Sequence, residues 1–153
     1  WPQPLAKQDT DMDIRPLSET YAVSPQITAE DIPAIAAAGY VMVICNRPDA
    51  EVPAELGADV LRKSVEAAGM GFVVNPVIGS ALTMEMVEAQ RAAIDGTPGK
   101  VFAYCASGNR SSIVWALALA GRVPTDDLIN AGAQYGYQAG QFRELIDRLA
   151  LQE

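Results

Sequence analysis

The chain has 153 residues, 50% of them hydrophobic and 20% charged, which suits one soluble domain around a single core. Its 11 basic and 19 acidic side chains leave a net charge of −8 with no lysine- or arginine-rich cluster, which excludes nucleic acid and anionic lipid as expected partners. There is no histidine and there are two cysteines, Cys45 and Cys105, so imidazole triads, the usual zinc sets and a disulfide framework drop out, and no metal or cofactor is expected.

Residues 1–18 show no periodicity and read as an N-terminal arm, leaving 19–153 as the domain. The arm opens WPQPLAKQDTDMD without an initiator methionine. Such a polar lead fits what remains after an export signal is cleaved and favours a periplasmic or exported protein; a native start at Met12, in a cytoplasmic protein, is the alternative. YAVSPQ reads as an edge strand ended by Pro25. TAEDIPAIAAAG follows as a helix, with Thr28 and Asp31 fit for a capping box and Gly39 as the stop. YVMVIC is a continuous apolar, β-branched run of the kind buried in a parallel sheet, and its sequel NRPDAE is a loop.

A second helix is predicted over 54–68, stopped by Gly69, before the buried strand GFVVNPV. Thr83 caps MEMVEAQRAAI, DGTPGK turns the chain back, and VFAYC is the last strand. Three helical stretches complete the chain, over 110–120, 125–134 and 141–151. In the last, Phe142, Leu145, Ile146 and Leu149 recur at helical spacing and should face the core. The apolar run 111–121 is about half of the ~20 residues a bilayer crossing needs, so no membrane span is predicted.

Strands alternating with helices predict a single α/β domain with a mainly parallel central sheet flanked by helices. Ligands collect at the carboxyl ends of central strands in such sheets. Cys45 and Cys105 each end one. After Cys105 come Ala106, Ser107, Gly108 and Asn109, then Arg110, Ser111 and Ser112. Gly108 is free to take a positive φ, which lets successive N–H groups turn inward as an anion nest. The helix that follows aims its positive end at the same point, and Arg110 adds a permanent cation. A Cys105 thiolate at this junction would be a nucleophile activated without histidine, with Ser111 placed to donate a hydrogen bond to the sulfur. A small buried thiol that merely fills space is the bland alternative, but it needs no polar, glycine-bearing loop behind it.

The loop YCASGNRSS resembles the active-site loops of rhodanese sulfurtransferases and, one residue shorter, those of protein tyrosine and dual-specificity phosphatases. The wider pattern is similar to the phosphatase-like domain of the beta-lactamase hydrolase-like proteins. Its segments here are YAVSPQITAEDIPAIAAAGY, VICNRPDAE, CASGNRSSIVWALALAGR and DDLINAGAQYGY, in that order, covering roughly 14–149. The resemblance implies a tyrosine/dual-specificity-phosphatase-like α/β fold. It implies Cys105 as nucleophile, Arg110 as anion-binding arginine, Ala106 to Asn109 as the loop amides, and Ser111 as the hydroxyl after the arginine. Family members are described both as phosphatases and as sulfur transferases.

Departures from the phosphatase pattern rank the chemistries. Four residues separate Cys105 from Arg110, one fewer than in the phosphatases, so the ring of amides is smaller. The stretch NPVIGSALTMEM offers no aspartate as general acid; Glu85 in it belongs to a helix start, and Tyr104 stands where those enzymes commonly have histidine. Sulfur transfer through a Cys105 persulfide is therefore the first expectation, phosphate-ester hydrolysis through a phosphocysteine the second, and a non-catalytic anion- or partner-binding module the third. The partner in each of the first two is a small anion. Cys45 is a candidate resolving thiol for Cys105 or simply core filling. Arg47 and Asp49, in the loop beyond it, are candidates for the pocket mouth, with Asp49 the fallback acid. Trp115, Met70, Met84 and Met86 are expected in the core.

Overall fold

Runs rich in β-branched and aromatic residues form the inner strands of the sheet in the computed structural model, which describes residues 13–77 and 83–151. The strands are β1 (Arg15–Ser18), β2 (Tyr21–Ser24), β3 (Tyr40–Cys45), β4 (Gly71–Val74) and β5 (Lys100–Tyr104), in the spatial order β1-β2-β5-β3-β4. β1 runs antiparallel to β2, and the remaining pairings are parallel. The central pairings put Tyr104 of β5 opposite both Ser24 of β2 and Cys45 of β3. Three strands thus end in line, and the chain segments that leave them meet at one edge.

The described α-helices are α1 (Ile32–Ala37), α2 (Ala58–Ala67), α3 (Met84–Asp95), α4 (Asn109–Ala118), α5 (Thr125–Ala133) and α6 (Arg143–Ala150). Alternation along each strand divides the core in two. Ala22, Val43, Cys45, Phe102 and Tyr104 pack with Ile32, Ile35, Leu61 and Val65. Tyr21, Val23, Ile44, Val101 and Ala103 pack on the other face with α4 and with Leu128, Ile146 and Leu149. Helix α4 is buried from Ser111 through Ala118, which explains why its sequence is apolar on all sides. Its Trp115 stacks on Tyr21 with ring centroids 5.7 Å apart. The fully buried Leu117 alone contributes about 1.5–3 kcal/mol by leaving water.

Local signals placed several termini. Thr28 and Asp31 form the expected capping box ahead of α1, and the Thr83 hydroxyl accepts the Met86 N–H at 3.3 Å. Gly39 and Gly69 follow their helices with φ of +98° and +86°. Four details differ from expectation. YAVS is not an edge, because RPLS (15–18), expected within the arm, pairs outside it as β1. The predicted helix over 54–68 is a 3₁₀ turn at Ala54–Leu56 and then α2, separated by Gly57 in an extended conformation. The stretch 141–151 likewise begins as a 3₁₀ turn, Ala139–Phe142. Met84 is 42% exposed because it opens α3 on the solvent side, whereas Met70 is buried. Residues 1–12 of the expected arm lie outside the described residues. Among the described residues no helix is long and apolar enough to cross a membrane.

Candidate active site

β5 delivers Cys105 to the edge where β2 and β3 also end. The residue is fully buried, and Ala106 and Ser107, which follow, are exposed. Gly108 then takes φ +96°, turns the chain inward and caps α4. Its N–H donates to Cys105 Sγ at 3.1 Å, so the sulfur receives a backbone donor at the positive end of α4. A side chain at Gly108 is excluded twice, by the positive φ and by the Tyr137 hydroxyl, into which a Cβ would collide. The loop carbonyls are held from outside. Ala106 O accepts from Gln26 N–H at 3.4 Å, and Ser107 O accepts from the Tyr137 hydroxyl at 2.8 Å. Asn109 Oδ1 accepts the Gln138 N–H at 3.0 Å, a second strap from the segment joining α5 and α6.

Arg110 lies in the first turn of α4, and a thiolate at Cys105 would add to the charges that raise its guanidinium. Glu51 clamps it in a bidentate pair, with Nη1 donating to Oε2 at 3.0 Å and Nη2 to Oε1 at 2.8 Å. Nη1 also donates to Val77 O at 2.9 Å. Arg110, with Arg47 in support, holds the Glu51 carboxyl below its usual range, and the same clamp raises the Arg110 guanidinium above its own. Arg47 converges on Glu51 Oε1 through Nε at 3.2 Å, while its Nη1 donates to Gln26 Oε1 at 3.1 Å. Arg47 and Arg110 therefore meet on one carboxylate.

Three of the sequence-predicted residues are engaged elsewhere. Ser111 does not turn to the sulfur: its hydroxyl donates to Asn46 Oδ1 at 2.9 Å in the buried layer beneath the loop. Asp49 is exposed, and its Oδ1 accepts the Ala58 N–H at 2.9 Å, which caps α2 instead of facing the pocket. Cys45 is a buried free thiol that donates to Arg47 O at 3.3 Å, and burial pushes its titration up. Its register partner is Tyr104, so its side chain shares that residue's face of the sheet, one position before Cys105. Glu85 lies in the first turn of α3 and is exposed. Residues 78–82 of the stretch NPVIGSALTMEM, which offers no aspartate as general acid, lie outside the described residues.

Sequence reasoning missed two groups. One is the pair Glu51 and Tyr137, which hold Arg110 and Ser107. The other is an amide network beneath the loop. Asn46 Nδ2 donates to Asn75 O and to Gln90 Oε1, each at 2.9 Å, and Gln90 Nε2 donates to the Tyr21 hydroxyl at 2.7 Å. The available signal was modest: polar residues at the end of a buried strand (Asn46, Asn75) and a glutamine on the inner stripe of α3. A thiol with a backbone donor, a clamped guanidinium and a hydrogen-bonded floor are the parts that an oxyanion site beside a nucleophile requires.

Residues 13–122 match the family described as beta-lactamase hydrolase-like protein, phosphatase-like domain. The beta-lactamase hydrolase-like protein of Xylella fastidiosa (strain 9a5c) is 32% identical over 143 residues, which is 92% of this chain and 33% of that protein. That of Agrobacterium fabrum is 30% identical over 123 residues, 79% of this chain and 28% of its own length. The chain thus spans about a third of the curated relatives it matches. Among solved structures, a candidate phosphatase of Neisseria meningitidis is 34% identical with a TM-score of 0.77, covering 90% of this chain and 99% of that one. Tk-PTP in its active form has a TM-score of 0.71 at 17% identity, covering 92% and 97%, and shares the fold. The architecture is that of the tyrosine and dual-specificity phosphatases.

Proposed function

Because the chain belongs to the phosphatase-like domain family of the beta-lactamase hydrolase-like proteins, we propose that it is a cysteine-dependent hydrolase of small phosphate esters. The observation that carries this reading is the Gly108 N–H on Cys105 Sγ at the start of α4, with Arg110 held beside it by Glu51. The similarity to phosphatase structures supports it over the sulfur chemistry that the short loop suggests on its own. Cys105 attacks phosphorus as the thiolate, the phosphorus–oxygen bond to the leaving group breaks, and a phosphocysteine forms. Water then attacks phosphorus, releasing phosphate and returning the thiolate. Arg110 and the amides of Ala106, Ser107, Gly108 and Asn109 carry the charge on the transferring oxygens. Ser111 serves by tying the first turn of α4 to Asn46 at the end of β3.

Leaving-group protonation sets the preferred ester. Glu51 is kept ionised by two arginines and Asp49 caps α2, so neither carboxyl is poised to donate a proton. The leaving oxygen departs as an anion protonated by solvent, which favours esters of acidic alcohols. Sulfur transfer through a Cys105 persulfide is the second reading, favoured by the four-residue spacing between Cys105 and Arg110. The test is turnover of an aryl phosphate by the wild-type chain and by Cys105→Ser, with intact mass after thiosulfate as the parallel arm. Turnover that disappears in Cys105→Ser supports the hydrolase. Persulfide formation without turnover replaces it with a sulfurtransferase, and failure in both arms leaves a binding module.

A further inference from the structure

We propose that Tyr137, backed by Arg15, is a positioning residue that sets the thiolate character of Cys105 through a single peptide group. The peptide linking Ser107 to Gly108 makes two hydrogen bonds in opposite directions. Its carbonyl accepts from the Tyr137 hydroxyl at 2.8 Å, and its N–H donates to Cys105 Sγ at 3.1 Å. A trans peptide is planar, with its C=O and N–H pointing opposite ways, and no cis bond occurs among the described residues. Fixing the oxygen on Tyr137 therefore aims the hydrogen at the sulfur. An amide whose carbonyl is hydrogen-bonded is also a stronger donor at its nitrogen.

The relay continues one step outward. Arg15 Nη1, on edge strand β1, donates to the same Tyr137 oxygen at 2.8 Å and leaves that hydroxyl its proton for Ser107. The Arg15 guanidinium also lies 5.7 Å from the Tyr137 ring centroid and is paired with Asp13. Tyr137 is buried, and burial raises its titration, so it remains a hydroxyl donor through the range in which thiols titrate. Gly108 belongs to the same device, since any side chain there would push the Tyr137 hydroxyl away. Among the described residues, the groups whose charge couples to Cys105 include Arg110 on α4, Tyr21 on β2, Cys45 on β3 and Tyr137 itself. Removing the Tyr137 hydroxyl alters one of these inputs and leaves Arg110 and its Glu51 clamp in place.

The experiment follows the ultraviolet absorbance of the Cys105 thiolate against pH, in a Cys45→Ala background so that a single thiol reports and with Cys105→Ser in that background as the blank. Folding of every variant is checked by circular dichroism. Tyr137→Phe should move the midpoint of the profile up by as much as about one pH unit, the full amount where the freed peptide swings the Gly108 N–H off the charged sulfur. Arg15→Met should move it the same way by less, and it serves alone if Tyr137→Phe does not fold. An unchanged midpoint in the folded variants overturns the proposal, because a merely structural role would lower stability and leave the midpoint where it was. A shift in Tyr137→Phe with none in Arg15→Met overturns the part given to Arg15. The absorbance titration requires no turnover, so failure here is separable from failure of the hydrolase reading.

Discussion

Replacing Gly108 by alanine tests the loop geometry at its tightest point. The backbone there has φ +96°, a region that costs an L-residue about 1–2 kcal/mol. The new Cβ also collides with the Tyr137 hydroxyl, which must move off Ser107 O and forfeit a hydrogen bond worth about 1 kcal/mol. Gly108→Ala should therefore lose about 2–3 kcal/mol of stability. With a urea slope of about 1–3 kcal/mol/M for a domain of this size, the midpoint falls by about 0.7–3 M with the slope unchanged. Equilibrium urea unfolding, followed by tryptophan fluorescence, measures it. The double variant Gly108→Ala/Tyr137→Ala should lose less than the sum of the two single losses, since the collision is then relieved and only the backbone strain remains. A midpoint change below about 0.3 M in Gly108→Ala would refute both the positive-φ requirement and the contact with Tyr137.

Glu51→Gln should lower kcat/KM for an aryl phosphate by about ten- to a hundredfold, because Arg110 loses the charged half of its clamp and its aim. The Glu51 carboxyl titrates lower in the folded chain than in the unfolded one, so its stabilising contribution is full above about pH 4.3 and fades as pH falls through the folded value; thermal melts of wild type and Glu51→Gln should differ at neutral pH and converge in acid. Gln90→Leu should destabilise by about 2–4 kcal/mol in denaturant unfolding, because it leaves the buried polar groups of Asn46, Asn75 and Tyr21 short of partners. Phosphates of acidic phenols should turn over about 10²–10⁴ times faster than simple alkyl phosphates, the usual worth of a general acid; equal rates would show that a proton donor reaches the leaving oxygen after all.

Much of this molecule is written in short-range pattern. YVMVIC and VFAYC read as buried strands because both of their faces meet apolar layers, and CASGNR reads as a site because its glycine, small residues and arginine occupy adjacent positions. What escaped was long-range or weakly patterned. RPLS carries a proline and no alternation, and it becomes β1 only by pairing with β2. Gly57 divides a stretch that composition alone reads as one helix, because the residue before α2 is extended and Asp49 reaches back to cap Ala58. Glu51 lies 59 positions from Arg110 and Tyr137 lies 30 from Ser107; neither has a local signature linking it to the loop it supports. Ser111 follows the arginine as the resemblance requires, yet the acceptor on Asn46 competes for its only proton.

The most direct test of the central claim is the mass of the covalent intermediate. Wild-type chain mixed with an aryl phosphate, quenched in acid within the first turnover and digested, should show the peptide bearing Cys105 heavier by one phosphoryl group, and Cys105→Ser should show none. Turnover with no phosphoryl group on Cys105, or an equal yield from Cys105→Ser, would contradict the account.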